Sequence, residues 1–308
     1  MCNRKNITAA WMMFCIAFMV LIGAGGEKAA AASKQYSVQF ANDEKQWMTE
    51  FVETSSGAVV GSVKLLWMAP NPVIANSGKK IYFSAGIANS SLYRSNILYS
   101  YDLTTGDLRK LASLSDSYYY YDVNEVYRGS LYVSGWNGSE NMALYRYDLN
   151  TGEMKKIIDQ GYSSRYKKYI ICESNKVTAS YHTYPIYIYN TSTGNLRTVA
   201  TNVGCFERSG KYLYVAAAKV KDYPVIRVPY RVFRYNLATG KKKVLAANMK
   251  GYFISKITKK YIYHSNWEDE STGYYRYNLK TKKEKKISRG AFFKATGILN
   301  KDNEQMGN

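Results

Sequence analysis

Five stretches of the chain alternate apolar and polar residues with the two-residue period of a strand, break at a short polar turn, and resume as a basic and apolar run. They align without gaps: LYSYDLTTGDLRKL from Leu98, LYRYDLNTGEMKKI from Leu144, IYIYNTSTGNLRTV from Ile186, VFRYNLATGKKKVL from Val232 and YYRYNLKTKKEKKI from Tyr274. Tyr145, Tyr147 and Leu149 fall on one face of their strand, as do Tyr99, Tyr101 and Leu103, and Phe233, Tyr235 and Leu237. The turns at Thr105-Gly106, Thr151-Gly152, Thr193-Gly194 and Thr239-Gly240 place glycine where a tight hairpin needs positive φ. Lys282 takes that place in the fifth copy, which predicts a strained turn at a cost of about 1 kcal/mol, or a change of turn type. Asp102, Asp148, Asn190, Asn236 and Asn278 precede the turns, where such side chains accept hydrogen bonds from nearby backbone N–H groups.

The five copies start 46, 42, 46 and 42 residues apart, the length of one four-stranded propeller blade. Two further strand candidates precede each hairpin: an apolar run such as Leu131 to Ser134 or Leu213 to Ala216, and upstream of it one such as Tyr118 to Val123 or Tyr169 to Cys172. In order these are strands A, B, C and D of one antiparallel sheet. The expected fold is therefore all-β, a β-propeller of five clear blades. Tyr36 to Phe40, Trp47 to Glu53 and Val59 to Leu66 add three strands, with Ser55-Ser56-Gly57 as a degenerate turn. Ala291 to Leu299 could supply a fourth, so that N- and C-terminal strands close a sixth blade; five blades with unpaired ends is the alternative.

The YRYDL-xTG hairpin followed by a basic and apolar strand resembles the blades of bacterial exported six-bladed propellers of the TolB-like and YWTD-related kind. The resemblance is of repeat pattern, covers nearly all of the chain after its N-terminal segment, and lacks the full YWTD tetrad. It implies a six-bladed exported propeller. That broad group includes binding modules and, less often, enzymes, and no catalytic residue carries over.

Arg4 and Lys5, an apolar run from Ile7 to Ala24, and the small residues Ala29 to Ala32 read as a signal peptide over residues 1–32. Residues 33–308 would then be one propeller domain, secreted or held in the bacterial cell envelope, without a stable membrane span. Retention of the run as a membrane anchor is the rival reading. Cleavage leaves Cys172 and Cys205, which are either a disulfide or two buried thiols. It also removes three basic residues and one acidic, so a net charge of +20 falls only to +18. Much of this charge lies in strand D, at Arg109, Lys110, Lys155, Lys156, Arg197, Lys241 to Lys243 and Lys283 to Lys286. There it forms a rim that deters edge pairing and attracts polyanions diffusely, which argues against dedicated nucleic-acid binding.

Antiparallel order puts the uniform C–D turns and short A–B links on one end of the blades and the variable B–C and D–A segments on the other. Variable loops on a rigid scaffold are where binding concentrates. That end carries Trp136, Trp267, His182, Tyr93, Arg94, Tyr184, Tyr223 and Arg227, whose rings suit sugars or apolar ligand patches. Trp136 and Trp267 occupy equivalent places, five residues after Leu131 and Ile262. His182 and His264 are the two histidines and neither has metal-ligand spacing to other donors, so no metal or cofactor is expected, and His264 reads as a packed strand residue. The expected function is a monomeric non-catalytic binding or scaffolding module for a glycan, an anionic wall polymer or an envelope protein. The alternative is a glycosidase or lyase drawing its carboxylates from Asp116, Asp122, Asp159, Glu173, Asp222, Glu268 and Asp269.

Overall fold

A computed structural model describes residues 35–43, 46–64, 66–67, 74–87, 95–114, 118–136, 142–173, 184–218, 230–249, 253–268 and 271–297. All of them belong to one compact unit, Lys34–Asn308; the expected export signal falls in the other, Met1–Ser33, outside the described residues. The first sheet consists of β1 (Tyr36–Asp43), β2 (Gln46–Glu53) and β3 (Val59–Lys64) in that order. The second joins β4 (Leu66–Trp67), β6 (Lys80–Ile87), β7 (Ile97–Asp102) and β8 (Leu108–Ser113), with β5 (Ala75–Ser77) also paired to β6. A third is the meander β9 (Tyr120–Tyr127), β10 (Ser130–Trp136), β11 (Met142–Asp148) and β12 (Met154–Ile158).

Seven strands follow as one sheet: β13 (Gly161–Tyr166), β14 (Tyr169–Glu173), β15 (Tyr184–Asn190), β16 (Leu196–Ser209), β17 (Tyr212–Ala218), β18 (Tyr230–Asn236) and β19 (Lys242–Met249). This sheet is two blades sharing β16, whose first half pairs with β15 as strand D and whose second half pairs with β17 as strand A. The last sheet is β20 (Phe253–Ile257), β21 (Tyr261–Glu268), β22 (Ser271–Asn278) and β23 (Glu284–Ile287), after which α1 (Arg289–Thr296) ends the described chain. The architecture is thus all-β, a series of four-stranded antiparallel blades of the β-propeller type.

The hairpins behave as their residues dictate. Asp102 Oδ1 accepts the Thr104 N–H at 2.8 Å, Asn236 Oδ1 accepts those of Ala238 at 3.0 Å and Thr239 at 3.2 Å, and Asn278 Oδ1 accepts that of Lys280 at 2.8 Å. In the first sheet Gly57 has φ 69° and donates to the Glu53 carbonyl, the same closure that Gly106 makes with Asp102. That degenerate turn is therefore a sixth copy of the C–D hairpin. Lys282 keeps the turn type, holding φ 59° and donating its N–H to Asn278 O at 2.9 Å.

The core lies between sheets. Strand alternation sends Leu131, Val133 and Tyr147 back against Tyr82 and Leu98, and Tyr132 and Leu144 forward against Ile170, Cys172 and Tyr189. The same division joins Phe51 and Val63 to Ile81, Phe83 and Tyr101, joins Ile171, Ile186 and Ile188 to Leu213, Val215 and Phe233, and joins Tyr214 and Val232 to Ile254 and Ile262. Each cluster spans two consecutive blades.

The expected closure is corrected at the C-terminus. Residues 291–297 of the expected closing strand fold into or cap α1, whereas 298 and 299 lie outside the described residues. Ser288 Oγ caps the helix by accepting the Ala291 N–H at 3.3 Å, and Gly297, at φ 76°, donates to Phe293 O at 2.9 Å. Phe292 is 2% exposed, its ring 4.8 Å from that of Tyr274 and 6.5 Å from that of Tyr263. By strand register Tyr263 and Tyr274 stand where Tyr132 and Leu144 stand in the third sheet, on the face that meets the following blade. Lys256 Nζ adds a hydrogen bond to Ala295 O at 2.9 Å. The helix covers the face that a further blade would cover, and among the described residues no sheet pairs N-terminal with C-terminal strands. A smaller correction concerns Leu66, which the sequence grouped with β3 but which pairs with Ile87 in the second sheet.

Lys282→Gly removes the cost of a side chain at positive φ and should raise stability by up to about 1 kcal/mol in urea denaturation. The gain is reduced by loss of the hydrogen bond from Lys282 Nζ to Leu245 O on the preceding blade. A fall in the midpoint would show that this inter-blade bond outweighs the backbone strain.

Candidate functional site

Trp136 ends β10, is 39% exposed, and has its ring 5.6 Å from that of Tyr120 at 33°. Tyr119, 43% exposed, is tied to it by a hydrogen bond from its N–H to Trp136 O at 3.0 Å. The other strongly exposed large apolar side chains among the described residues, Val59, Leu108, Leu196 and Val244, lie on outer strands. Tyr119 and Trp136 are thus the exposed aromatic pair on the variable-loop end. Trp267 is placed by its backbone in β21, opposite Thr272 and six residues after Tyr261, as Trp136 is six after Ser130. Tyr184 opens β15 half-buried and edge-on to Phe206 at 6.4 Å, so it is a packed ring rather than a rim residue. Tyr93, Arg94, His182, Tyr223 and Arg227 lie outside the described residues.

Of the carboxylates, Asp159 is exposed and paired with Lys156, and Asp122 is half-buried on β9. Glu268 is placed by its backbone alone, and Asp116, Asp222 and Asp269 lie outside the described residues. Glu173 is different. The residue opposite the first position of each repeat hairpin is Ser84, Ser134, Glu173, Ala216 or Ser265, the first four facing the next blade. Ser134 Oγ uses that place to accept the Tyr162 N–H of the following blade at 3.2 Å, and Ser84 Oγ donates to Tyr121 O. Glu173 therefore puts a carboxyl into a slot that elsewhere holds a small side chain. Burial raises its pKa above the usual carboxylate value, against an opposing hydrogen bond from Ser163. Burial likewise raises the Tyr184 phenol, with Glu173 and Cys205 adding to the effect.

The two blades of the seven-stranded sheet also open a cavity of about 470 Å³. It is lined by Val199, Ala200, Thr201 and Asn202 of β16, Ala217 and Ala218 of β17, Arg231 and Phe233 of β18, and Lys242 of β19. Tyr184, Val203, Ala217 and Arg231 form one lateral row across four strands, so the cavity opens at the variable-loop end. Sequence reasoning missed this junction, because β16 runs through it without a turn residue to mark the change of blade. It also missed the inner-strand pair of Glu125 and Arg165, 2.6 Å apart across consecutive blades, with the guanidinium 3.9 Å above the Tyr127 ring.

Cys172 and Cys205 are free thiols. Cys172 packs with Tyr132 and Leu144 of the preceding blade, whereas Cys205 packs toward Ile254 and Ile262 of the following one, so the disulfide reading gives way to two separated thiols. Burial pushes both pKa values up to about 12. His264 is 2% exposed, its Nε2 2.8 Å from Glu284 Oε2 and its ring stacked on Tyr275 at 5.3 Å; burial lowers its pKa while Glu284 opposes. It is the packed strand residue the sequence suggested. Among the described residues no group of three or more His, Cys, Asp or Glu is placed to hold a metal ion, and no helix is long and apolar enough to cross a membrane.

These features define a β-propeller-type chain with an aromatic pair and a basic cavity at one end of its blades. No family model matches the chain, and no curated protein matches it. Among solved structures it is similar to TolB from Acinetobacter baumannii at 14% identity and TM-score 0.35, over 82% of this chain and 63% of that one. It is similar to the β-propeller domain of the Trilobed protease from Pyrococcus furiosus at 16% identity and TM-score 0.42, over 84% of this chain and 82% of that one. Oligopeptidase B from Leishmania major aligns at 8% identity and TM-score 0.44, over 79% of this chain and 37% of that one. The chain thus spans less than two thirds of the length of TolB and of oligopeptidase B. The fold assignment rests on strand order and register.

Two measurements test this geometry. Because Glu173 has a raised folded-state pKa, its contribution to stability is full below its unfolded pKa and is lost as pH rises through the folded value. Glu173→Gln should therefore gain Tm relative to wild type as pH is taken from 4 to 8, and a constant difference would contradict the buried-carboxyl reading. The thiolate is the reactive species, so Cys172 and Cys205 should resist Ellman's reagent at pH 7 in the folded chain and react in guanidinium without reductant. Failure of both to react in denaturant would restore the disulfide.

Proposed function

We propose that the chain is an exported, non-catalytic propeller module that binds a glycan on the variable-loop end of its blades. The observation that carries this reading is the exposed Trp136 ring beside Tyr120, with Tyr119 adjoining. Large apolar rings cost free energy in water, and an exposed indole on a rigid sheet end, its neighbour ring tilted 33° to it, offers a surface on which the C–H face of a sugar ring stacks. The rings belong to β9 and β10 and to the residue preceding β9, so the platform is preorganised and little side-chain entropy is lost on binding. An anionic wall polymer or an envelope protein would meet the same end of the blades. The enzyme alternative needs carboxylates that converge on one open cleft; Asp159 is exposed and paired with Lys156, whereas Glu173 is half-buried against the next blade.

Trp136→Ala should weaken binding of the full chain to envelope polysaccharide by about 2 kcal/mol, close to thirtyfold, in affinity electrophoresis across a salt series. Its unfolding midpoint should change little, because the ring is solvent-exposed. Binding that survives the substitution and disappears in moderate salt would replace the sugar-stacking reading with diffuse attraction to polyanions.

A further inference from the structure

The junction cavity carries chemistry that the aromatic pair does not. Its apolar lining comes from Val199, Ala200, Ala217, Ala218 and Phe233, and its volume of about 470 Å³ falls in the range of small-ligand sites, roughly 300–1,000 Å³. Among the described residues two cations line it and no acid does. Lys242 Nζ donates to Val199 O at 2.7 Å and lies 5.3 Å from the centre of the Phe233 ring. Arg231 has an exposed side chain and no hydrogen-bond or ion-pair partner among the described residues. Its backbone is fixed by pairing with Ala217 in the lateral row that begins at Tyr184.

A guanidinium fork with no partner among the described residues, beside an apolar lining, matches a planar carboxylate attached to a ring with one apolar face. We propose that this cavity holds an acidic sugar unit, its carboxylate on the Arg231 guanidinium and its C–H face against the side that Ala217 and Phe233 share. The proposal rests on the glycan reading and names the class of glycan, a uronate-bearing chain.

Calorimetric titration of the full chain with hexagalacturonate and with its fully methyl-esterified form tests this, since esterification removes the charge and keeps the rings. The acid should bind at least about tenfold tighter than the ester at 0.3 M salt, where diffuse attraction is screened. Arg231→Gln should bring that ratio to near one without weakening ester binding, and Arg231→Lys should leave an intermediate ratio. Trp136→Ala should weaken both ligands equally. A wild-type ratio near one, a ratio retained in Arg231→Gln, or a preference lost at 0.3 M salt overturns the site. Loss of the acid preference in Arg231→Gln with no effect of Trp136→Ala sinks the stacking reading and keeps the Arg231 site. Failure of both ligands to bind wild type overturns both.

Discussion

The structure depends on one constraint: each sheet must bury both of its faces, and each face against a different neighbour. A strand solves this by alternation, one parity facing back and the other forward. The middle strands carry the consequence in their composition. Residues 130–135 of β10 are buried without interruption, and so are 81–86 of β6, because neither parity is left for water. Glycine enters where a tyrosine ring needs the room, of the next sheet at Gly61 and of its own blade at Gly135. A Cβ at Gly61 would stand 2.5 Å from the Tyr101 ring, and one at Gly135 would stand 2.9 Å from Tyr118 and Tyr121. Tyrosine serves the same packing, since its body fills the gap between sheets while its hydroxyl reaches a backbone group, as Tyr147 does with Leu111 O at 3.2 Å.

An array built this way has two terminal faces with no neighbour supplied by the repeat. At the C-terminal end α1 covers the spare face with Phe292, and Lys256 makes the forward contact to the helix backbone. Glu125 makes the corresponding contact to Arg165 of the next blade from the equivalent position of its own strand. At the N-terminal end the outward parity of the first sheet is mostly polar and exposed, with Ser37, Gln39 and Ser62 on it and a hydrogen bond from Gln39 to Glu50 at 2.7 Å. Terminal units of repeat arrays depart from the consensus for this physical reason.

What could be read from the sequence follows the same division. The C–D hairpin was legible because its turn is written locally, in an Asp or Asn that accepts two residues ahead and a glycine at positive φ. The closing strand was misread because Ala291 to Leu299 is short and apolar, a run that periodicity alone does not assign to helix or strand. The signals that settle it were present, Ser288 as N-cap and Gly297 as C-cap, and they should have outweighed the need for a closing strand. The loop end was legible as far as Trp136. The Glu173 slot and the junction cavity were not, since both arise from how consecutive blades meet across β14 to β19, a relation no local pattern encodes.

The chain's basicity divides along similar lines. Arg109, Lys110, Lys155, Lys156, Lys243, Lys285 and Lys286 are exposed on outer strands, where a row of ammonium and guanidinium groups makes edge pairing with a second chain unfavourable. Such a rim attracts polyanions, but its field is screened within about 8 Å at physiological salt and it selects no ligand shape. Arg231 belongs to neither the rim nor a C–D turn. It lies at the start of β18 at the variable-loop end and is the one guanidinium among the described residues that line the cavity, so the proposed selectivity for an acidic ligand, as distinct from mere attraction, has its physical basis at that junction.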